Sequence, residues 1–365
     1  MNLKRFGRPA VIAVAAALAL SSCASNEAGT GSSTTAATTS TLTGTLTGAG
    51  SSAQGSAQEA WIKAFQTANP NVTVNYDPSG SGAGRSTFIA GGSDFAGSDS
   101  ALSDTELAGT FASCAPSTKA VDLPVYISPI AVIFNVAGVT DLKLDSATLA
   151  HIFRGEIKTW NDPAIAALNS GVTLPATAIT AVHRSDDSGT TKNFTDYLFQ
   201  TAPTVWTDKA ADAFPIQGGE GAKGTSGVVD AVTNGVGTIG YADASKAGKL
   251  GVAKIKVGDS FVGYTAEAAA AVVAESPLVT GRDASDLAIK INRTTTDATH
   301  YPLVLVSYAI VCTEYAKPAQ GELAKAYVTY MASADGQKIA ASAGGAAPLS
   351  TDLADKVAAV LATIK

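Results

Sequence analysis

The sequence predicts an α/β protein built of two lobes that are joined by two crossing strands. A strand, a turn rich in Gly and Ser, and a helix N-terminus follow one another three times, at residues 46–65, 72–89 and 179–198. Two long runs, residues 123–134 and 301–311, are almost continuously apolar, as strands buried on both faces are. Because these runs bracket roughly 170 residues, we expect one lobe to be inserted into the other, with the two strands as the hinge.

The composition is that of a globular protein with room for two domains. The chain has 365 residues, of which 15% are charged and 35 are Gly, and its formal net charge is −6. A strongly basic stripe is absent, so a nucleic-acid partner is not expected. The Gly-rich loop at residues 219–225 lacks the spacing of a nucleotide-binding P-loop. The histidines lack the paired spacing of zinc ligands, so neither a metal nor a cofactor is expected.

The first residues predict export. A segment with three cations precedes ten apolar residues, 11–20, which are too few to span a bilayer as a mature helix. The Leu-Ser-Ser-Cys sequence that ends at Cys23 resembles a bacterial lipobox. It implies a signal peptide at residues 1–22, cleavage before Cys23 and acylation of that thiol. The alternative is a plain secretory signal with an incidental cysteine. Cleavage would remove three cations and no acid, leaving a net charge near −9.

The next segment, residues 23–45, is rich in Thr, Ser, Ala and Gly, and predicts a flexible tether before a folded part that starts near Leu46.

Two cysteines remain in the folded part, Cys114 and Cys312. In an exported protein such a pair predicts a disulfide, which would close a long loop and stabilise the fold by about 3–5 kcal/mol. Two buried free thiols are the alternative.

The segment at residues 183–192 predicts one half of an anion site. Arg184 is followed by Ser188, Gly189 and Thr190, after which apolar residues recur with helical spacing. The first turn of a helix carries unpaired N–H donors and a partial positive charge, which suit an anion. An arginine fork beside it matches phosphate oxygens. The alternative interpretation is an ordinary N-capped helix with a surface arginine.

A serine-hydrolase site is a weaker interpretation of the same segment. Ser188 does not stand in a Gly-x-Ser-x-Gly elbow. His183 precedes it by five residues, with Asp186 and Asp187 between them, so the sequence alone leaves a catalytic triad open. We expect a binding protein that catalyses no reaction.

Four motifs, in this order, carry a family resemblance. They are Thr-Gly-Ala-Gly-Ser-Ser from Thr47, Gly-Ser-Gly from Gly80, Gly-Ser-Asp from Gly97, and Arg-Ser-Asp-Asp-Ser-Gly-Thr from Arg184. From about residue 46 to its end, the chain resembles the phosphate-binding protein of the high-affinity phosphate ABC transporter, the PstS type. The resemblance implies a two-lobed periplasmic-binding-protein-like fold of the class II type.

The two apolar strands divide the chain into lobes, the lipobox predicts the location, and the resemblance implies the partners. Lobe I would comprise residues 46–128 and 301–365, and lobe II residues 129–300. The protein would be a monomer that is anchored to the outer face of the cell membrane through lipid on Cys23. It would bind inorganic phosphate and deliver it to the membrane permease subunits of an ABC importer. The alternatives are an exported phosphate-ester hydrolase or surface adhesin on the same scaffold, or a receptor for another tetrahedral oxyanion.

The family's phosphate contacts map onto matching positions of this chain. The implied contacts are Ser52, Ala53, Ser81, Asp99, Arg184, Ser188, Gly189 and Thr190. Many relatives have Thr and Phe where this chain has Ser52 and Ala53, so the hydroxyl and the backbone N–H are kept while the aromatic ring is lost. Asp186 would orient Arg184 without touching the anion.

Asp99 is an unexpected residue beside an anion, and its presence predicts which anion binds. A carboxylate can accept a proton from phosphate, which keeps one at neutral pH, but fully ionised sulfate has none to donate. Sulfate would therefore be repelled and would leave the carboxylate unpaired, a cost of about 1–3 kcal/mol or more. We expect Asp99 to select phosphate over sulfate.

Overall fold

Residues 40–365 are described by the computed structural model, so the predicted signal peptide, Cys23 and most of the predicted tether lie outside the described residues. The strands are β1 (Gly44–Gly50), β2 (Val72–Asp77), β3 (Phe95–Ser98), β4 (Ala120–Asn135), β5 (Lys143–Leu144), β6 (Thr180–Arg184), β7 (Glu220–Ala222), β8 (Thr238–Asp243), β9 (Gly251–Val252), β10 (Lys254–Val257), β11 (Ser260–Val262) and β12 (Val304–Cys312). The helices are α1 (Gly55–Ala68), α2 (Ser81–Ile89), α3 (Asp104–Leu107), α4 (Ser146–Phe153), α5 (Pro163–Leu168), α6 (Gly189–Thr201), α7 (Gly224–Asn234), α8 (Ala266–Ala274), α9 (Pro318–Ala332), α10 (Ala334–Gly344) and α11 (Thr351–Thr363), with a 3₁₀ turn at Ala244–Lys246. Within residues 40–365, no helix combines the length and the apolar character needed to cross a membrane.

One large sheet runs through the molecule in the strand order β2-β1-β3-β12-β4-β8-β6-β7, with β9 beside β4. At one end β1 pairs in parallel with β2 and β3, and at the other end β6 pairs in parallel with β7 and β8. The antiparallel pair β4 and β12 joins the two parallel groups. A small sheet, β11-β10-β5, lies beside the second group. The two lobes are thus two βα groups that share a pair of crossing strands.

The long strand β4 belongs to both lobes. Its residues 120–129 pair with β12, whereas residues 130–135 pair with β8. Every residue of β12 and all of β4 except Asn135 are buried, as the apolar sequence of both strands predicts. The second strand was expected from residue 301, but β12 begins at Val304, since Pro302 has no N–H with which to continue a ladder.

Cys114 and Cys312 form a disulfide in the structure, with their Cα atoms 5.3 Å apart. The bridge ties the end of β12 to the loop that precedes β4, and it spans 198 residues of sequence. Closing a loop of this length restricts the unfolded chain, which stabilises the folded state by about 3–5 kcal/mol. The two crossing strands are therefore joined covalently at the lobe I end.

A buried carboxyl group lies where β4 passes from one lobe to the other. Asp243, the last residue of β8, accepts hydrogen bonds from the hydroxyl of Tyr126 at 3.1 Å and from the N–H of Ser245 at 3.0 Å. Burial raises the pKa of Asp243 to about 6. The folded protein therefore holds this proton more tightly than the unfolded chain does.

Raising the pH from about 4 to about 7 is expected to lower the free energy of unfolding by up to about 3 kcal/mol through Asp243, because the raised pKa makes the folded state bind more protons than the unfolded state in this window. Denaturant unfolding of the parent and of Asp243→Asn across this range measures the difference, which should shrink as pH rises. Asp141→Asn, at an exposed carboxylate paired with Lys254, is the control and should not reproduce this trend. Parallel curves for the parent and Asp243→Asn would contradict the assignment.

Candidate anion-binding site between the lobes

The predicted turns converge at the carboxyl ends of the parallel strands. Ser51 follows β1, Asp99 follows β3, and Arg184 is the last residue of β6. Two helix N-termini face this region, because α2 begins at Ser81 and α6 begins at Gly189. The chain thus brings together polar side chains from both lobes at the edge where α/β sheets bind ligands.

Asp99 is the centre of a buried network of hydroxyl groups. Only 3% of its surface is exposed. Its Oδ1 accepts from the hydroxyls of Ser51 at 2.5 Å and Ser307 at 2.6 Å, and its Oδ2 accepts from the hydroxyl of Thr190 at 3.0 Å. Its backbone N–H donates to Ser81 Oγ at 3.1 Å. Burial raises the pKa of Asp99, and the three hydroxyl donors offset only part of that rise.

Arg184 is held in place by Asp186. Its Nε donates to Asp186 Oδ1 at 2.7 Å and its Nη2 donates to Oδ2, which forms a two-bond fork. The N–H of Gly224 also donates to Asp186 Oδ1, at 3.0 Å. Burial works to raise the pKa of Asp186, but the hydrogen bonds and charge of Arg184 hold that pKa below its usual range. Asp186 is therefore ionised and fixes the guanidinium, which is only 2% exposed.

Two glycines allow the lobes to approach one another. Gly80 has φ of 108°, and a Cβ at this position would lie 2.5 Å from Asp186 Oδ2. A Cβ at Gly189 would lie 2.7 Å from the Cβ of Asp99. Both distances are shorter than real side chains tolerate, so a larger residue at either position would push the two lobes apart. The N–H of Gly82 donates to the carbonyl of Asp187 at 3.0 Å, which closes the same contact.

The remaining predicted residues lie around this network. Ser188 is the N-cap of α6, and its hydroxyl accepts from the N–H of Thr191 at 3.2 Å. Ser52 Oγ reaches the opposite lobe, where it accepts from the N–H of Thr225 at 3.0 Å. The N–H of Ala53 donates to Ser51 Oγ at 3.1 Å. The predicted anion contacts are therefore neighbours, although Ser52 and Asp99 have no direct hydrogen bond.

Several residues of the network were not expected from the sequence. Ser51 and Ser307, rather than Ser52, donate to Oδ1 of Asp99. Asn193 donates to the carbonyls of Asp99 at 2.7 Å and Gly189 at 2.9 Å, and so joins the two lobes. For Ser307 a signal existed, since it is a lone serine inside an apolar strand that is buried along its whole length. Asn193 had none, because its partner lies 94 residues away.

A buried ion cluster supports the loop that carries Asp99. Arg282 donates to the carboxylates of Asp122 at 3.0 Å and Asp286 at 3.1 Å, and to the carbonyl of Leu102. Asp122 also accepts the N–H of Leu102 at 3.1 Å. Burial and the neighbouring Asp286 raise the pKa of Asp122 to about 8. The cluster ties the loop to β4, which keeps Asp99 in position.

The geometry does not favour the hydrolase interpretation. The ring nitrogens of His183 face two carbonyl oxygens, those of Arg184 at 2.9 Å and Gly218 at 3.1 Å, and the ring stacks on Phe214. Both ring nitrogens of His183 therefore contact carbonyl oxygens and not Ser188, whose hydroxyl caps α6. The site presents hydroxyl, N–H and guanidinium donors that suit binding of an oxyanion.

The chain is similar to known proteins in both sequence and structure. The family model described as the PBP superfamily domain matches residues 35–335. The structure is also similar to a high affinity periplasmic phosphate-binding protein (PfluDING) bound with phosphate, with a TM-score of 0.68 and 24% identity, covering 87% of this chain and 93% of that one. A Clostridium perfringens protein with bound phosphate gives a TM-score of 0.59 at 18% identity, covering 84% of this chain and 100% of that one. The predicted two-lobed fold is confirmed.

Curated relatives narrow the class. Phosphate-binding protein PstS 3 of Mycobacterium leprae is 38% identical over 274 residues, which is 73% of each chain. PstS 3 of Mycobacterium tuberculosis (strain ATCC 25618 / H37Rv) is 36% identical over 344 residues, which is 90% of each chain. The chain belongs to the PstS family of phosphate-binding proteins, as its four motifs predicted.

Proposed function

We propose that this protein binds inorganic phosphate between its lobes, outside the cytoplasm, and delivers it to an ABC importer. The observation that carries the proposal is that a buried carboxylate, Asp99, and a buried guanidinium, Arg184, come from opposite lobes and lie close enough for the cation to lower the pKa of the carboxyl. Hydroxyls and helix N-termini surround both groups. An anion that carries negative charge and one proton satisfies both groups, and phosphate is such an anion.

We also propose which residues contact the phosphate. Phosphate would accept from Arg184, from the N-terminus of α6 at Gly189, and from hydroxyls around it. The assigned contacts are Ser52, Ala53, Ser81, Asp99, Arg184, Ser188, Gly189 and Thr190. Thr190 now donates to Oδ2 of Asp99. A phosphate proton that replaced it there would release the threonine hydroxyl to donate to a phosphate oxygen.

The wider role is proposed on the same grounds. Residues 46–128 and 301–365 would form lobe I and residues 129–300 lobe II, a division supported by the change of partner within β4 at residues 129–130. One segment of lobe II contacts lobe I through Arg282. The protein would be a monomer held at the outer face of the membrane by lipid on Cys23. It would present phosphate to permease subunits and catalyse no reaction.

Calorimetric titration of the purified full-length chain with phosphate, sulfate and arsenate tests the proposal. We expect saturable binding of phosphate and none of sulfate at the same concentration. Affinity should depend only weakly on salt, because the site is buried and the net charge of the protein is negative. Sulfate binding as tight as phosphate, or a steep loss of affinity with salt, would contradict it. Turnover of a chromogenic phosphate ester that is abolished by Ser188→Ala would favour a hydrolase.

A further inference from the structure

A second set of charged contacts joins the lobes beside the proposed phosphate site. Arg85 lies on α2, and its Nη2 donates to Asp212 Oδ2 at 2.7 Å. Asp212 lies between α6 and β7, on the opposite lobe. Its other oxygen, Oδ1, accepts from the hydroxyl of Ser100 at 3.0 Å. Both carboxylate oxygens of Asp212 are therefore held by groups that lie across the cleft.

The backbone of Asp212 contacts the N-terminus of α6. Its carbonyl accepts the N–H of Ser188 at 2.9 Å, and Ser188 is the N-cap of α6. On the other lobe, Ser100 directly follows Asp99 in the chain. The same aspartate thus touches a residue at the start of α6 with its main chain and a neighbour of Asp99 with its side chain. Separation of the lobes would break the contact with Ser100 and leave the contact with Ser188, which lies within the lobe that carries α6.

Hydrogen bonds within its own lobe fix the side chain of Arg85. Its Nε donates to Glu106 at 2.9 Å, and its Nη1 donates to Ser98 at 3.0 Å and Ser100 at 2.9 Å. These partners all lie on the side of the cleft that carries α2, so they would stay in contact when the lobes separate. Only the bond to Asp212 would break. The side chains of Arg85 and Asp212 are 6% and 16% exposed, so solvent screens this pair far less than a surface ion pair.

We propose that Asp212 is a positioning residue that forms an interlobe latch with Arg85 and Ser100, and that this latch sets how long the closed lobes retain phosphate. The proposal rests on the proposed function. The latch forms whenever the lobes meet, with or without the ligand, so it stabilises the closed form without touching the anion. Its loss should therefore speed dissociation much more than it slows association.

The test compares two neutral variants of the full-length chain that remove different carboxylates from the same guanidinium. Asp212→Asn removes the partner across the cleft, and Glu106→Gln removes the partner within the lobe. Stopped-flow measurement of phosphate release should show dissociation about 10- to 100-fold faster for Asp212→Asn, with association changed by less than about threefold. Glu106→Gln should release phosphate within about twofold of the parent rate. Equal release rates in the two variants would overturn the proposal.

A double-mutant cycle separates the latch from a general structural effect. Combining Arg85→Gln with Asp212→Asn should speed release by less than the product of the two single effects, because the two residues act through one contact. Independent, multiplicative effects would overturn the proposal. If Asp212→Asn fails to fold by circular dichroism, Ser100→Ala replaces it in the comparison, and about 2- to 5-fold faster release is expected from the loss of its hydrogen bond across the cleft.

A readout without phosphate distinguishes failure of this proposal from failure of the proposed function. Small-angle X-ray scattering of the chain without phosphate should give a larger radius of gyration for Asp212→Asn than for Glu106→Gln, since the lobes would separate more often. Failure of the parent to bind phosphate in calorimetry would remove the proposed function. In that case, equal radii for the two variants would also remove the latch, whereas a larger radius for Asp212→Asn would keep it.

Discussion

Replacing Asp99 with asparagine is expected to reduce discrimination between phosphate and sulfate by about 100-fold, chiefly by allowing sulfate to bind. The amide keeps the shape of the side chain, and its oxygen can still accept from Ser51 and Ser307, which donate to Oδ1 in the structure. The negative charge that would repel sulfate is gone, however, and the amide N–H₂ can donate to either anion. Removing a buried carboxylate that sulfate would leave unpaired should change the free energy of sulfate binding by roughly 2–3 kcal/mol.

Competition calorimetry with phosphate and sulfate measures this change. Asp77→Asn is the matched control, because it removes the same charge from an exposed aspartate that ends β2 on the same lobe. The control should keep the selectivity of the parent. Unchanged selectivity in Asp99→Asn would show that this carboxylate does not select the anion.

Replacing Arg184 with alanine is expected to weaken phosphate binding by at least about 100-fold. The guanidinium is a buried cation at the site, and each charge-assisted hydrogen bond lost is worth about 1.5–3 kcal/mol. The variant also leaves the half-buried Asp186 without its cation, although Gly224 still donates to it. Arg184→Lys keeps the charge but loses the planar fork, so its affinity should fall between those of the parent and the alanine variant.

Calorimetric titration with phosphate tests these variants, with Arg154→Ala as the control. Arg154 lies in the same lobe and is also ion-paired, to Glu156 and Asp208, but its side chain is 28% exposed. The control should change phosphate affinity by less than about twofold. If Arg184→Ala, folded as judged by circular dichroism, bound phosphate as the parent does, Arg184 would have to be removed from the site.

Local pattern in the sequence was enough to predict the crossing strands and the helix starts of the site. Continuous apolar runs predict strands that are buried on both faces, and β4 and β12 are buried in this way. Ser188 followed by Gly189 predicts the start of a helix, and α6 begins there. These features depend on neighbours in the chain, so a sequence can reveal them without a structure.

Contacts between distant residues could not be predicted in the same way. The serine that donates to Asp99 Oδ1 beside the first turn is Ser51 and not Ser52, and this depends on how the turn after β1 approaches β3. Ser307 reaches the same oxygen across 208 residues of sequence, through the pairing of β12 with β3. The register of a sheet decides which side chain points where, and the residue order does not state it.

The residue types along the chain fix which chemical groups are available to an anion: one arginine with its aspartate, a second aspartate, and hydroxyls at turns that open helices. These groups meet only in the folded molecule, because they come from two lobes that β4 and β12 hold against each other. The fold also brings together Arg85 and Asp212, 127 residues apart, which join the lobes beside this site. No local stretch of sequence states how the two lobes are placed, because their relative position depends on packing throughout the hinge strands.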